Sequence, residues 1–149
     1  MAQTKLTFEF SGEEPTTYTR TIPIENAMKS GFCSDMIEAF GGQVPEEGFT
    51  ITVTNKIPPQ FQERIVNTIV EILNFLNTPD GLDFIDNTRI ISFDYNNEKI
   101  DAIISRDITH LAHMLGILNF MNINSVYRYI CNIIGQHIKL KHYARLKTF

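Results

Sequence analysis

At 149 residues and 43% hydrophobic content the chain can bury a core of its own, and one domain over residues 1–149 is expected. Thirteen Lys and Arg against 17 Asp and Glu leave a net charge of −4, which disfavours a long interface with nucleic acid. Met1-Ala2-Gln3-Thr4-Lys5 has no apolar signal core, and no stretch reaches the roughly 20 apolar residues that cross a bilayer, so a soluble cytoplasmic or nuclear protein with no membrane contact is expected.

Leu6, Phe8 and Phe10 alternate with Thr7 and Glu9, a period of two that puts three apolar side chains on one strand face. Ser11 to Pro15 supplies turn chemistry, and Tyr18 to Ile24 resumes an extended pattern that ends at Pro23, so a hairpin is predicted. Ala27 or Met28, Phe32, Met36, Ile37 and Phe40 then recur at helical spacing, with Ser30-Gly31 breaking the helix in two. Gly41-Gly42 closes it, and Phe49, Ile51 and Val53 alternate with threonines as a third strand.

Pro58-Pro59 opens a helix whose Phe61, Ile65, Ile69, Ile72 and Phe75 or Leu76 form a stripe widened by Val66, Val70 and Leu73. A helix so broadly apolar belongs near the centre, and Pro79-Asp80-Gly81 is read as its stop. Residues 82–97 are open between a short helix and an edge strand at Arg89 to Phe93, with a turn at Asn96-Asn97. Asp107 is an N-cap for a helix with Ile108, Leu111, Leu115 and Leu118 on its buried side, ending at Asn119 to Asn122. Asn124 or Ser125 caps a last helix marked by Val126, Tyr127, Ile130, Ile133, Ile134 and Ile138. A small early sheet followed by a helical cluster makes an α+β fold.

Chemical motifs are sparse. Cys33 and Cys131 lack CxxC spacing and read as small buried hydrophobes in a reducing compartment. His110 and His113, three apart on a helix beside Asp107, lack the HExxH order and any further ligand cluster, so they read as surface or partner-facing histidines, and no metal or cofactor is expected. Lys139, Lys141, Arg145 and Lys147 read as a solvated basic face. Gly41-Gly42 fits no phosphate-binding spacing, and no nucleophile elbow or buried acid pair is present, so no catalysis is expected.

Three strings carry a resemblance. Leu118-Asn119-Phe120-Met121-Asn122-Ile123 resembles the Ala-Asn-Tyr-Leu-Asp-Ile of the BTB/POZ fold's Skp-type adaptors; Ser30 and Met36-Ile37 fall where that family has a Ser and a Met-Leu pair; and Arg145-Leu146-Lys147-Thr148-Phe149 is similar to its Arg-Lys-Thr-Phe. These are packing patterns rather than catalytic signatures. Two features differ from Skp-type adaptors and are closer to elongin C: the acidic loop before the third strand is reduced to Gln43-Val44-Pro45-Glu46-Glu47, and the chain ends at Phe149, where those adaptors continue into further helices.

The resemblance implies a BTB/POZ-like fold, a small three-stranded sheet capped by a helical cluster, and an adaptor of cullin ubiquitin ligases. Asn119, Phe120 and Met121 would face a cullin-like partner. Tyr127, Ile130, Ile134, Ile138 and Leu146 would meet an F-box or BC-box type receptor. The plainer readings are a C-cap Asn beside a core Phe, and an isoleucine stripe buried in the core. The alternative function is a self-associating BTB scaffold, a homo-oligomer that needs an exposed apolar patch on the early helix and first strand.

Overall fold

The computed structural model describes residues 2–89, 95–105 and 107–147, with side chains to residue 141. Strands β1 (Gln3–Phe10) and β2 (Thr16–Pro23) form the expected antiparallel hairpin, with Thr7 opposite Thr19. Strand β3 (Phe49–Val53) lies parallel to β1 on its other side, giving the order β2-β1-β3. Leu6, Phe8, Phe10, Phe49, Ile51 and Val53 all point to the core, as their alternation requires. The intervening threonines and Glu9 face outward, and Thr7 Oγ1 meets Thr19 Oγ1 at 3.1 Å across the hairpin.

The parallel β1–β3 pairing needs a crossover, which α1 (Ile24–Ala27) and α2 (Gly31–Ala39) supply. The predicted break between them has a specific cause. Ser30 leaves the helical region at φ −85° and ψ 122°, and its Oγ accepts a hydrogen bond from Cys33 N as the N-cap of α2.

Helix α3 (Pro59–Leu76) is the central helix expected from its apolar girth, with Ile65, Val66, Ile69, Ile72, Leu73 and Leu76 buried. Gln62 is also buried, and it donates to the Ile57 carbonyl while its Oε1 accepts from the Tyr18 hydroxyl. Arg20 of β2 reaches Asn67 and Glu63 on the outer side of α3, tying sheet to helix.

One reading needs correction and one element was missed. Pro79 does not merely stop α3: it is the first residue of a new helix, α4 (Pro79–Thr88), capped by Thr78, whose Oγ1 accepts from Gly81 N. Helix α5 (Glu98–Ile103) was not anticipated; Asn97 caps it through two bonds from Lys99 N and Ile100 N. Tyr129 anchors this segment, donating to Asp101 Oδ1 at 2.7 Å and accepting from Asn97 N at 3.0 Å. The strand read at Arg89 to Phe93 lies largely outside the described residues.

The last pair, α6 (Ile108–Phe120) and α7 (Asn124–Lys147), completes the helical cluster. Asp107 caps α6 as read, with Oδ1 accepting from Thr109 N. Among the described residues the fold is thus a three-stranded sheet with seven helices, an α+β arrangement. No helix among them is long and apolar enough to cross a membrane.

Ser30 joins the two halves of the chain. Besides capping α2, it donates from Oγ to the Met121 carbonyl at 2.6 Å, 91 residues away and fully buried. Ser30→Ala leaves the Cys33 amide uncapped and removes one of the two donors to the Met121 carbonyl, so it is predicted to lower unfolding free energy by about 1–3 kcal/mol. Urea denaturation of the two proteins measures this, and an unchanged midpoint would count against the bridge.

Candidate docking edge

The corner between α6 and α7 is built by backbone hydrogen bonds. Asn122 N donates to the Asn119 carbonyl at 3.1 Å and Ile123 N to the Leu118 carbonyl at 3.0 Å, the paired bonds of a Schellman motif. That motif needs a left-handed residue, and Asn122 provides it at φ 54°, a conformation asparagine tolerates better than most residues. Leu118 and Ile123 are both buried beneath the turn.

The N-terminus of α2 docks on this corner. Gly31 N donates to the Asn122 carbonyl at 3.2 Å and Phe32 N to the Met121 carbonyl at 3.1 Å, while Cys33 N is satisfied by the Ser30 hydroxyl and Ser30 N by the Ala27 carbonyl. All four free amides at the start of α2 are thereby paired. The approach is so close that a Cβ on Gly31 would lie 2.7 Å from Asn122 Cβ, which explains a glycine there.

Held in this way, the end of α6 turns Asn119 and Phe120 to solvent. Phe120 is 42% exposed, and its ring rests on Phe32 with centroids 4.9 Å apart. Such a pair contributes about 0.5–1.5 kcal/mol beyond area burial and limits the rotamers of Phe120. Met121 departs from expectation: it is fully buried, because the helix has turned by then and its side chain follows Leu118 into the core.

Beside the corner lies a cleft of about 360 Å³ between the end of β3 and α6. Gly116 lines it, packed so tightly that a Cβ there would collide with the Asn55 amide. Phe32, Asn55 and Gly116 were not read as site residues. A glycine inside so apolar a helix is the one signal that would have pointed to close approach.

The second predicted surface is divided by depth. Ile130 is fully buried, since it faces α6 with Val126 and Ile133, so it offers nothing to a partner. Tyr127 and Ile134 are half-buried, and Ile138 is 61% exposed where α7 runs beyond the core. Leu140, Lys139 and Lys141 are exposed there as well; the side chain of Leu146 lies outside those described. Cys131 is exposed rather than buried, because it sits on the side of α7 opposite Ile130 and Ile133. Cys33 is buried, and burial pushes its thiol up to about 11, against a smaller lowering effect of its hydrogen bond with Ser30.

His113 packs its ring on Phe61, with centroids 5.6 Å apart. His110 is neither at the surface nor facing a partner: it is fully buried, with neither ring nitrogen hydrogen-bonded. Among the described residues no three His, Cys, Asp or Glu side chains are grouped to hold a metal. Burial holds the His110 pKa below its ordinary 6.5, helped by Arg64 and His113 and opposed by Asp107.

No family model matches the chain, and the comparisons find no similar curated protein and no similar solved structure.

The unfolded chain takes up a proton at His110 more readily than the folded one. Its contribution to stability is therefore complete above pH 6.5 and declines as pH falls from there through the lowered folded pKa. His110→Leu is predicted to flatten the dependence of the urea midpoint on pH below 6.5, down to the lowered folded pKa of His110. An undiminished slope would assign the acid sensitivity to other groups.

Proposed function

We propose that the chain is a non-catalytic adaptor of the BTB/POZ type, of the Skp-type or elongin C-like kind, that bridges a cullin-like scaffold and an F-box or BC-box type receptor in the cytoplasm or nucleus. The observation that carries this reading is the outward presentation of Asn119 and Phe120 on a corner fixed by the start of α2. These two positions belong to the string that resembles the family's docking edge. A β-β-α-α-β order followed by helices is in keeping with the resemblance.

The physical case rests on preorganisation. Interface energy concentrates in a few anchors, and an anchor already held in place loses less entropy on binding. Phe120, supported by Phe32 and still accessible, has that character, and Asn119 beside it adds an amide that donates and accepts. The receptor surface narrows to Tyr127, Ile134 and Ile138, where the apolar stripe of α7 emerges from the core. A helical partner laid along that stripe would extend the helical layer.

One observation favours the second reading, self-association. Met28 is 44% exposed and Phe40 60% exposed on the early helical segment, apolar surface of the kind a homomeric contact covers. The mass in solution separates the two: a stable homo-oligomer without affinity for cullins supports the scaffold, and a monomer that binds one supports the adaptor.

The double variant Asn119→Ala/Phe120→Ala is predicted to weaken binding to a cullin N-terminal domain more than tenfold, about 1.4 kcal/mol or more, with helical content unchanged. Calorimetric titration with circular dichroism checks it. Equal affinity in the variant would remove this edge from the account.

A further inference from the structure

The outer edge of the sheet adds a second kind of recognition. The bond from Ser11 N to the Val53 carbonyl shows that Val53 turns its backbone toward β1, and the parallel register extends this to Phe49 and Ile51. Backbone direction alternates along a strand, so Thr50 and Thr52 direct their N–H and C=O groups away from the sheet. β3 is last in the order β2-β1-β3, and no partner for these groups is found among the described residues.

Edges left in this condition are normally guarded by charge, proline, a bulge or a covering element. The opposite edge strand, β2, carries Arg20 and ends at Pro23. β3 reads Phe-Thr-Ile-Thr-Val, with no such guard. The 360 Å³ cleft opens beside its C-terminal half, and Thr52, Thr54, Asn119 and Phe120 are among the residues that line it. None of the described residues lining this cleft is charged, although Asp, Glu, Lys and Arg make up 20% of the chain.

We infer that this edge and cleft form a docking site for an uncharged, extended peptide segment of a partner protein, which adds to β3 as a fourth strand and places an apolar side chain in the cleft against the exposed ring of Phe120. Two features select that occupant. Outward amides and carbonyls recurring at every second residue match the spacing of another extended chain, and a helix has no free backbone groups to offer them. A neutral lining leaves a charged side chain without a partner on entering the cleft. Asn55 and Asn119 at the rim can bond the peptide where it leaves the strand.

The site goes beyond the adaptor reading, although Phe120 and Asn119 border both. The test uses the full chain and a phage-displayed library of neutral heptapeptides, threonine alternating with any apolar residue; the selected peptides are then synthesised. Binding is expected to slow amide hydrogen exchange at Thr50 and Thr52 at least tenfold. Thr52→Pro removes one outward donor and leaves the bonds to β1, and should weaken the peptides at least tenfold while cullin binding through Asn119 and Phe120 persists.

Failure of every selected peptide to slow exchange at Thr50 and Thr52 overturns the proposal, and this readout needs no variant. A folded Thr52→Pro protein that binds the peptides as before also overturns it. So does protection of these amides in the free protein that rises with its concentration, because a second copy then occupies the edge. Loss of cullin binding in Asn119→Ala/Phe120→Ala bears on the adaptor reading, so the two failures are distinguishable.

Discussion

The start of α2 needs acceptors for its amides, and the corner after α6 needs donors for its carbonyls. Each supplies the other: Gly31 N and Phe32 N meet the carbonyls of Asn122 and Met121, with the Ser30 hydroxyl bridging the same joint. The contact joins segments some 90 residues apart, so it closes the chain on itself as well as capping a helix. An unmet polar group in such a joint costs about 1–3 kcal/mol, which makes these bonds specific where apolar packing alone is tolerant.

From that joint the rest of the candidate site follows. The crossover between β1 and β3 sets α2 against the helical cluster, and the cap geometry of Ser30 fixes where α2 begins. Phe32 is then positioned under Phe120, and the Schellman turn at Asn122 sends α7 back along α6. Core and candidate edge therefore come from one turn: Leu118, Met121 and Ile123 face inward while Asn119 and Phe120 face outward. Local pairing holds the corner, and from Ile134 to Lys141 the side chains of α7 are half-buried or exposed, with fewer core contacts to restrain them.

Much of this was legible in the sequence because periodicity is a direct imprint of burial. All three strands, the split early helix, the central position of α3 and the cap at Asp107 were read from alternation, helical spacing and capping chemistry. What failed did so for identifiable reasons. Met121 and Ile130 were assigned outward from the resemblance, and matching strings does not say which of their residues the fold covers; for Ile130 the plainer reading of a buried isoleucine stripe holds. Cys131 was assigned inward from its residue type, whereas its place on α7 decides its exposure. Pro79 reads equally as an end and as a beginning, since proline both breaks a helix and suits the first turn of the next. Helix α5 spans six residues, too short for a period to show.

The candidate site was legible as a string, and its geometry was not. Nothing in the sequence of Ser30-Gly31 says that it lies against Asn122, because the two are joined only through the fold. The most direct measurement of the central claim is amide hydrogen exchange at Gly31 and Phe32 in the free protein. If the start of α2 is clamped on the corner, both amides exchange only through unfolding of the whole domain, as slowly as the slowest amides of α3. Exchange near the rate of an unstructured peptide would mean that the joint is open and that the edge carrying Asn119 and Phe120 is not held outward by it.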